Sequence, residues 1–167
     1  MRGETLLKKV LWDVSRGIDY LETRTEVDSR FLGFVGSGYG GQMALWAAAL
    51  EPRIRAAAAH GGVLSYRQHF QQGEWLRPEF VVPRLMQVAD IQHVLTLIAP
   101  RPFLLSTTAE DPQSANVQEL YDKALPVYVK YGATNRLALY SYSGDGAFSL
   151  AMRQGLYSWL DSWLLPY

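Results

Sequence analysis

Cysteine does not occur among the 167 residues. Its absence excludes disulfides, thiolate chemistry and cysteine-built metal sites. Neither sign of charge is in excess, since 16 basic side chains offset 16 acidic ones. With no long run of like charge either, nucleic acid and anionic membrane surfaces are not implied partners. No apolar run reaches the roughly 18 residues that a membrane-crossing helix requires. The opening Met1-Arg2-Gly3-Glu4 leads straight into an amphipathic pattern rather than a secretory leader, so a cytoplasmic chain is expected. What is present is apolar: 49% of residues are hydrophobic and 19% charged. That length and composition suit one domain with a sizeable core.

The chain is organised around the stretch from Leu32 to Leu45. Residues 31–35 form a short apolar run suited to a buried parallel strand. Residues 42–50 are rich in Ala, Leu and Met, which favour helix. Between them, residues 36–41 hold four glycines, and a turn so tight needs positive φ and close backbone approach. Two chemistries use a strand, a glycine turn and a helix. One is the nucleophile elbow, G-x-S-x-G, which exposes its central side chain on a strained bend. In that frame Gly36 and Gly40 flank Gly38, which carries no nucleophile, while Ser37 lies one residue early. The other is the dinucleotide fingerprint, G-x-G-x-x-G, which Gly36, Gly38 and Gly41 match. That fingerprint calls for an acidic residue at the end of the next strand, and here the strand ends in Ala58-Ala59-His60-Gly61-Gly62.

Taken in order, residues 4–23 predict a helix with Leu7, Leu11, Val14, Ile18 and Leu21 on one face. Strands are expected at 31–35, 54–59, 101–107 and 137–142, and helices at 42–50, 83–89, 91–98, 114–131 and 149–165. Residues 63–82 form an irregular excursion with Tyr66, His69, Phe70, Trp75 and Phe80, which either covers a pocket or packs as surface loop. This alternation calls for a parallel sheet of about four strands with helices on both faces. Sites in such sheets lie beyond the C-terminal strand ends. No two of His60, His69 and His93 have metal spacing, and no cofactor is expected. His60 is the one histidine at such a strand end, hence the best substitute base.

Several stretches, in this order, resemble the α/β-hydrolase superfamily. They are Arg16-Gly17-Ile18-Asp19-Tyr20-Leu21, Val27-Asp28, the Gly36–Gly41 turn, Glu51-Pro52-Arg53-Ile54, Ile98-Ala99-Pro100-Arg101-Pro102-Phe103-Leu104 and Trp159-Leu160-Asp161-Ser162-Trp163-Leu164. The acetyl-xylan-esterase and dienelactone-hydrolase-like branch is the nearest match. The resemblance implies ester hydrolysis by a Ser–Asp–His triad in working relatives. Carried over by position, the nucleophile falls on Gly38, the oxyanion-hole amide on Tyr39, the acid on Asp111 and the base on Gly146. Both chemically active positions are thus glycine.

The complete fold has about four more strands ahead of the first helix, so the chain reads as the C-terminal half. Its strand at 31–35 is expected to be an apolar edge that pairs a second copy into a homodimer, or takes a chain supplying the other half. Three functional readings follow. One is an inactive, engineered or degenerate esterase-like unit. Another is a weak carboxylic-ester hydrolase using Ser37 or a substitute base. The third is a dinucleotide-binding module using Gly36, Gly38 and Gly41.

Overall fold

A computed structural model of the chain describes residues 5–71, 73, 78–111, 115–144 and 148–165. Helix α1, Leu6–Glu22, is capped by Thr5, whose side chain accepts from Lys8 N–H. It leads to β1 (Gly33–Ser37), α2 (Tyr39–Leu50) and β2 (Ala56–His60). The excursion follows with α3 (Tyr66–Gln71), α4 (Leu85–Val88) and α5 (Ile91–Thr96). Then come β3 (Phe103–Thr108), α6 (Val117–Lys130), β4 (Leu137–Tyr142) and α7 (Leu150–Leu164).

The four strands form one sheet in the order β1-β2-β3-β4, and every pair is parallel. Its two faces bury different cores. The larger core gathers α1, α2, α5 and α6 around residues such as Leu45, Ile54, Ile91, Phe103, Leu120 and Tyr128. The smaller core seats Leu156, Trp159 and Leu160 of α7 on Ala56, Ala58 and Leu104. The small side chains of β2, four alanines in five residues, let helices approach from both sides. A parallel sheet of four strands flanked by helices is thus the expected architecture, and it is the one observed.

The boundaries and burial differ in places. The first strand runs Gly33–Ser37, not 31–35, because Asp28 caps a 3-10 turn at Ser29–Phe31 by accepting from Arg30 N–H. The elbow helix starts at Tyr39 rather than at 42, taking two glycines into its first turn. Two apolar positions expected inward are open: Tyr131 is 61% exposed and Leu21 37%. Leu21 belongs to the stripe on α1, of which Leu7 and Ile18 alone are fully buried.

Two arginines tie the layers together. Arg53 reaches Glu51 at 2.6 Å, Asp19 at 2.6 Å and Glu22 at 2.9 Å, fastening α1 to the turn after α2. Half-buried Arg101 donates to the carbonyls of Ala48, Glu51 at 3.1 Å and Ile54 at 2.8 Å. A helix leaves its last carbonyls without intrahelical donors, and Arg101 supplies them for α2.

Candidate functional site

The C-terminal ends of β1 and β2 meet at the glycine turn. Gly38 links β1 to α2 with φ 56° and ψ −117°, a conformation in which a side-chain-bearing residue is strained. Its N–H donates to the His60 carbonyl at 2.8 Å, and its carbonyl accepts from Gln42 N–H at 3.1 Å. The bend is therefore held by β2 on one side and α2 on the other.

Each glycine of the turn meets a different requirement. A Cβ on Gly36 would overlap the carbonyl group of Gly40, and one on Gly41 would overlap the Gly61 carbonyl. A Cβ on Gly62 would run into the Gly38 carbonyl. Gly36, Gly41 and Gly62 thus let three backbone segments touch. Gly38 and Gly40 are not crowded, since a Cβ on either meets nothing within 4 Å. A side chain at Gly38 would enter open space, as an elbow's central residue must. The match to the dinucleotide fingerprint at Gly36 and Gly41 is accounted for by this packing.

The remaining predicted positions differ in how near the turn they lie. Tyr39 opens α2 and is 40% exposed, with its ring 5.1 Å from that of Phe80. The excursion therefore folds back onto the elbow, as one of its two expected roles requires. Asp90 anchors the excursion's start, accepting from the Ser65 hydroxyl at 2.6 Å and from Tyr66 N–H at 2.9 Å. Burial pushes the Asp90 carboxyl up, but the Ser65 hydroxyl and the backbone amides of Ile91, Tyr66 and Arg67 hold it below its ordinary value. Tyr66 in turn accepts from Gln42 Nε2 at 2.7 Å, and burial pushes its hydroxyl up to about 12. Phe80 stood among the aromatics of the excursion, but nothing in sequence pairs it with Tyr39. Trp75 lies outside the described residues.

Asp111 follows β3 in a turn where its N–H donates to the Thr108 carbonyl at 3.3 Å. β3 is two strands from β1, so the turn stands about 10 Å across the sheet from the elbow. Gly146 lies outside the described residues. Ser37 and His60 are Cα partners in the β1–β2 register, and His60 pairs likewise with Ser106. The three side chains share the α7 face, since Gly33, two pleats before Ser37, faces Leu160 and Leu164 of α7. His60 is 2% exposed, its Nδ1 lies 2.9 Å from Ser106 Oγ, and its ring rests 4.8 Å from Phe148. Neither Ser106 nor Phe148 carries a local sequence signal for this role. Among the described residues no group of three or more His, Cys, Asp or Glu could hold a metal, and no helix is long and apolar enough to cross a membrane.

Comparison with known proteins bears on the family and the fold. The family model described as the prolyl oligopeptidase family matches residues 4–123. YtaP of Bacillus subtilis (strain 168), a protein named as a hydrolase, is 26% identical over 98% of this chain and 56% of its own length. Carbohydrate esterase MZ0003, from an unknown prokaryotic organism, is 31% identical over 59% of this chain and 26% of its own. The chain thus spans about half, or less, of the curated relatives it matches. Among solved structures, methylesterase BT1017 superposes with a TM-score of 0.79 at 18% identity, over 95% of this chain and 36% of that one. The family 15 glucuronoyl esterase from Caldicellulosiruptor kristjansonii gives 0.77 at 23% identity, over 95% and 50%. These two likenesses carry the fold, an α/β-hydrolase sheet with its helices.

Proposed function

The chain belongs to the prolyl oligopeptidase family, and from that premise we propose that it is an esterase-like hydrolase unit whose elbow survives as backbone without its reacting groups. Gly38 carries this reading. It occupies the strained bend between β1 and α2, faces open space and has no side-chain atom with which to attack a carbonyl carbon. Gly146, at the position the resemblance gives to the base, has no nitrogen to take a proton. Tyr39 retains the amide for a developing oxyanion, and Asp111 retains the acid. Members of a triad act as a unit, so an acid and one amide alone leave little turnover. The reaction class of the lineage is carboxylic-ester hydrolysis, which the names of the carbohydrate esterase and the methylesterase support.

Restoring the parts tests the reading. Gly38→Ser supplies a hydroxyl without a base, and Gly146→His a base with nothing to activate. The double variant, with Asp111 in place, is expected to cleave p-nitrophenyl acetate measurably faster than either single one. Adding Asp111→Asn is expected to remove the gain. Strong activity in one single variant contradicts the assignment of positions.

A second reading is favoured by the pairing of Ser37 with His60 across β1 and β2. Here Ser37, exposed on β1, is the nucleophile of a weak esterase and His60 its base. His60 already engages Ser106, which counts against it. Loss of all turnover in Ser37→Ala is the result that would establish it.

A further inference from the structure

α1 and α2 are fastened to the molecule by different means. α2 is held by packing, with every residue from Gly41 to Ala48 buried. In α1, Leu7 and Ile18 alone are fully buried, and Val10, Leu11 and Val14 lie half-buried against the core. Beside that apolar face runs a polar one. Ser15, Asp19 and Glu22 recur at four and three residues, the spacing that aligns side chains along one side of a helix. All three meet the turn after α2. Arg53 Nη1 donates to Asp19 at 2.6 Å and to Glu22 at 2.9 Å, and Nη2 donates to the Ser15 hydroxyl at 3.0 Å. The Ser15 hydroxyl donates in turn to Glu51 at 3.1 Å. Glu51 holds the same guanidinium from its own side, 2.8 Å from Nε and 2.6 Å from Nη2. A bidentate carboxylate fixes the plane of the fork and leaves Nη1 for the helix. Arg16 shares Asp19 at 2.6 Å from within α1.

We propose that α1 is a strap that opens from the sheet as a unit while the rest of the chain stays folded, with Arg53 as its clasp and Glu51 as the residue that positions the clasp. A helix closes its backbone hydrogen bonds within itself, so α1 can leave without breaking a strand ladder. Its polar bonds to the turn converge on one guanidinium, so they form and break together rather than one by one. The clasp is also electrostatically consequential. Without Arg53, the carboxylates of Asp19, Glu22 and Glu51 would face one another with Arg16 on the Asp19 side, and like charges so placed repel. Elements of this kind open with free energies below that of global unfolding. Leu32, Phe34 and Ile54 stand across from Ile18 and Leu21 of α1, so opening uncovers the strand that leads to the elbow. None of this depends on whether the elbow is catalytic.

Native-state hydrogen exchange, read by residue, tests this. In the unaltered chain the amides of residues 10–21 are expected to exchange through an opening that leaves the amides of β2 and β3 protected. Arg53→Met should speed exchange in α1 about tenfold or more and leave β2 and β3 unchanged. Salt at about 1 M should speed α1 exchange in the unaltered chain, because it screens the ion pairs, and should have little further effect in Arg53→Met. The salt series needs no variant, so it decides the matter even where Arg53→Met does not fold. Exchange in α1 that rises only in step with β2 and β3 overturns the proposal. So does α1 exchange that responds neither to salt nor to Arg53→Met.

Discussion

The elbow and the α1–β1 flank share one strand and are finished to different degrees. At the elbow three backbone segments touch with no room for a Cβ at Gly36, Gly41 or Gly62, and Gly38 bonds on both sides. At the flank, a few residues earlier, Leu21 and Phe34 border an open apolar groove and half of the strand's backbone groups point outward. The turn is tightly packed, yet its bend at Gly38 holds no side chain. The flank is bordered by apolar side chains and is open in this structure. Packing and catalysis make separate demands on this fold: close backbone approach needs the glycines of the turn, whereas attack on a carbonyl needs a side chain at the bend.

Substitutions at the two regions should expose this contrast. Gly36→Ala is expected to be the most damaging, because its methyl group meets backbone that cannot move without opening the turn; a loss of about 4 kcal/mol or failure to fold is expected in urea unfolding. Arg101→Met comes next, at about 2–3 kcal/mol, since it strips the Ala48 and Glu51 carbonyls at the end of α2 and the Ile54 carbonyl before β2 of a charged donor. Gly38→Ala, a position with space but a strained conformation, should cost about 1–3 kcal/mol. Gly40→Ala, in the first turn of α2 and equally uncrowded, should be neutral or stabilising by up to about 1 kcal/mol. An equal cost at Gly36 and Gly40 would remove the distinction between glycines that packing demands and glycines it merely permits.

A weaker effect sharpens the same contrast through pH. The Arg53 guanidinium beside Glu51 holds that carboxyl down to about 2, from an ordinary 4.5. A carboxyl lowered on folding stabilises the folded chain fully above its unfolded value, and the contribution is lost as pH falls through the folded one. Stability should therefore decline between about 4.5 and 2, and Arg53→Met should flatten that part of the profile. Asp19 and Glu22 of α1 share the same Arg53, so the loss should loosen α1 together with the turn after α2.

How much of this was legible in sequence depends on whether the cause was local. The glycine turn, the apolar strands and the existence of the first helix announce themselves by spacing and composition. The start of β1 was misplaced by two residues because Asp28 diverts the chain into a capped turn before extension begins. The start of α2 was placed late because glycine is a poor helix former, and here the contact between Gly41 and the end of β2 overrides that preference. Asp90 under the excursion, Arg101 at the end of α2 and Phe80 on Tyr39 join residues from 23 to 53 positions apart. No local pattern encodes such meetings. That Gly38 carries no side chain is plain in sequence, but the strained conformation it adopts at the bend is visible only in the dihedral angles.

The central claim is that this elbow does no chemistry, and initial-rate measurement of p-nitrophenyl acetate hydrolysis by the unaltered chain tests it most directly. The rate is expected to match that of the denatured chain, to rise linearly with substrate and to be unchanged in Ser37→Ala. A rate that saturates with substrate and disappears in Ser37→Ala would contradict the account.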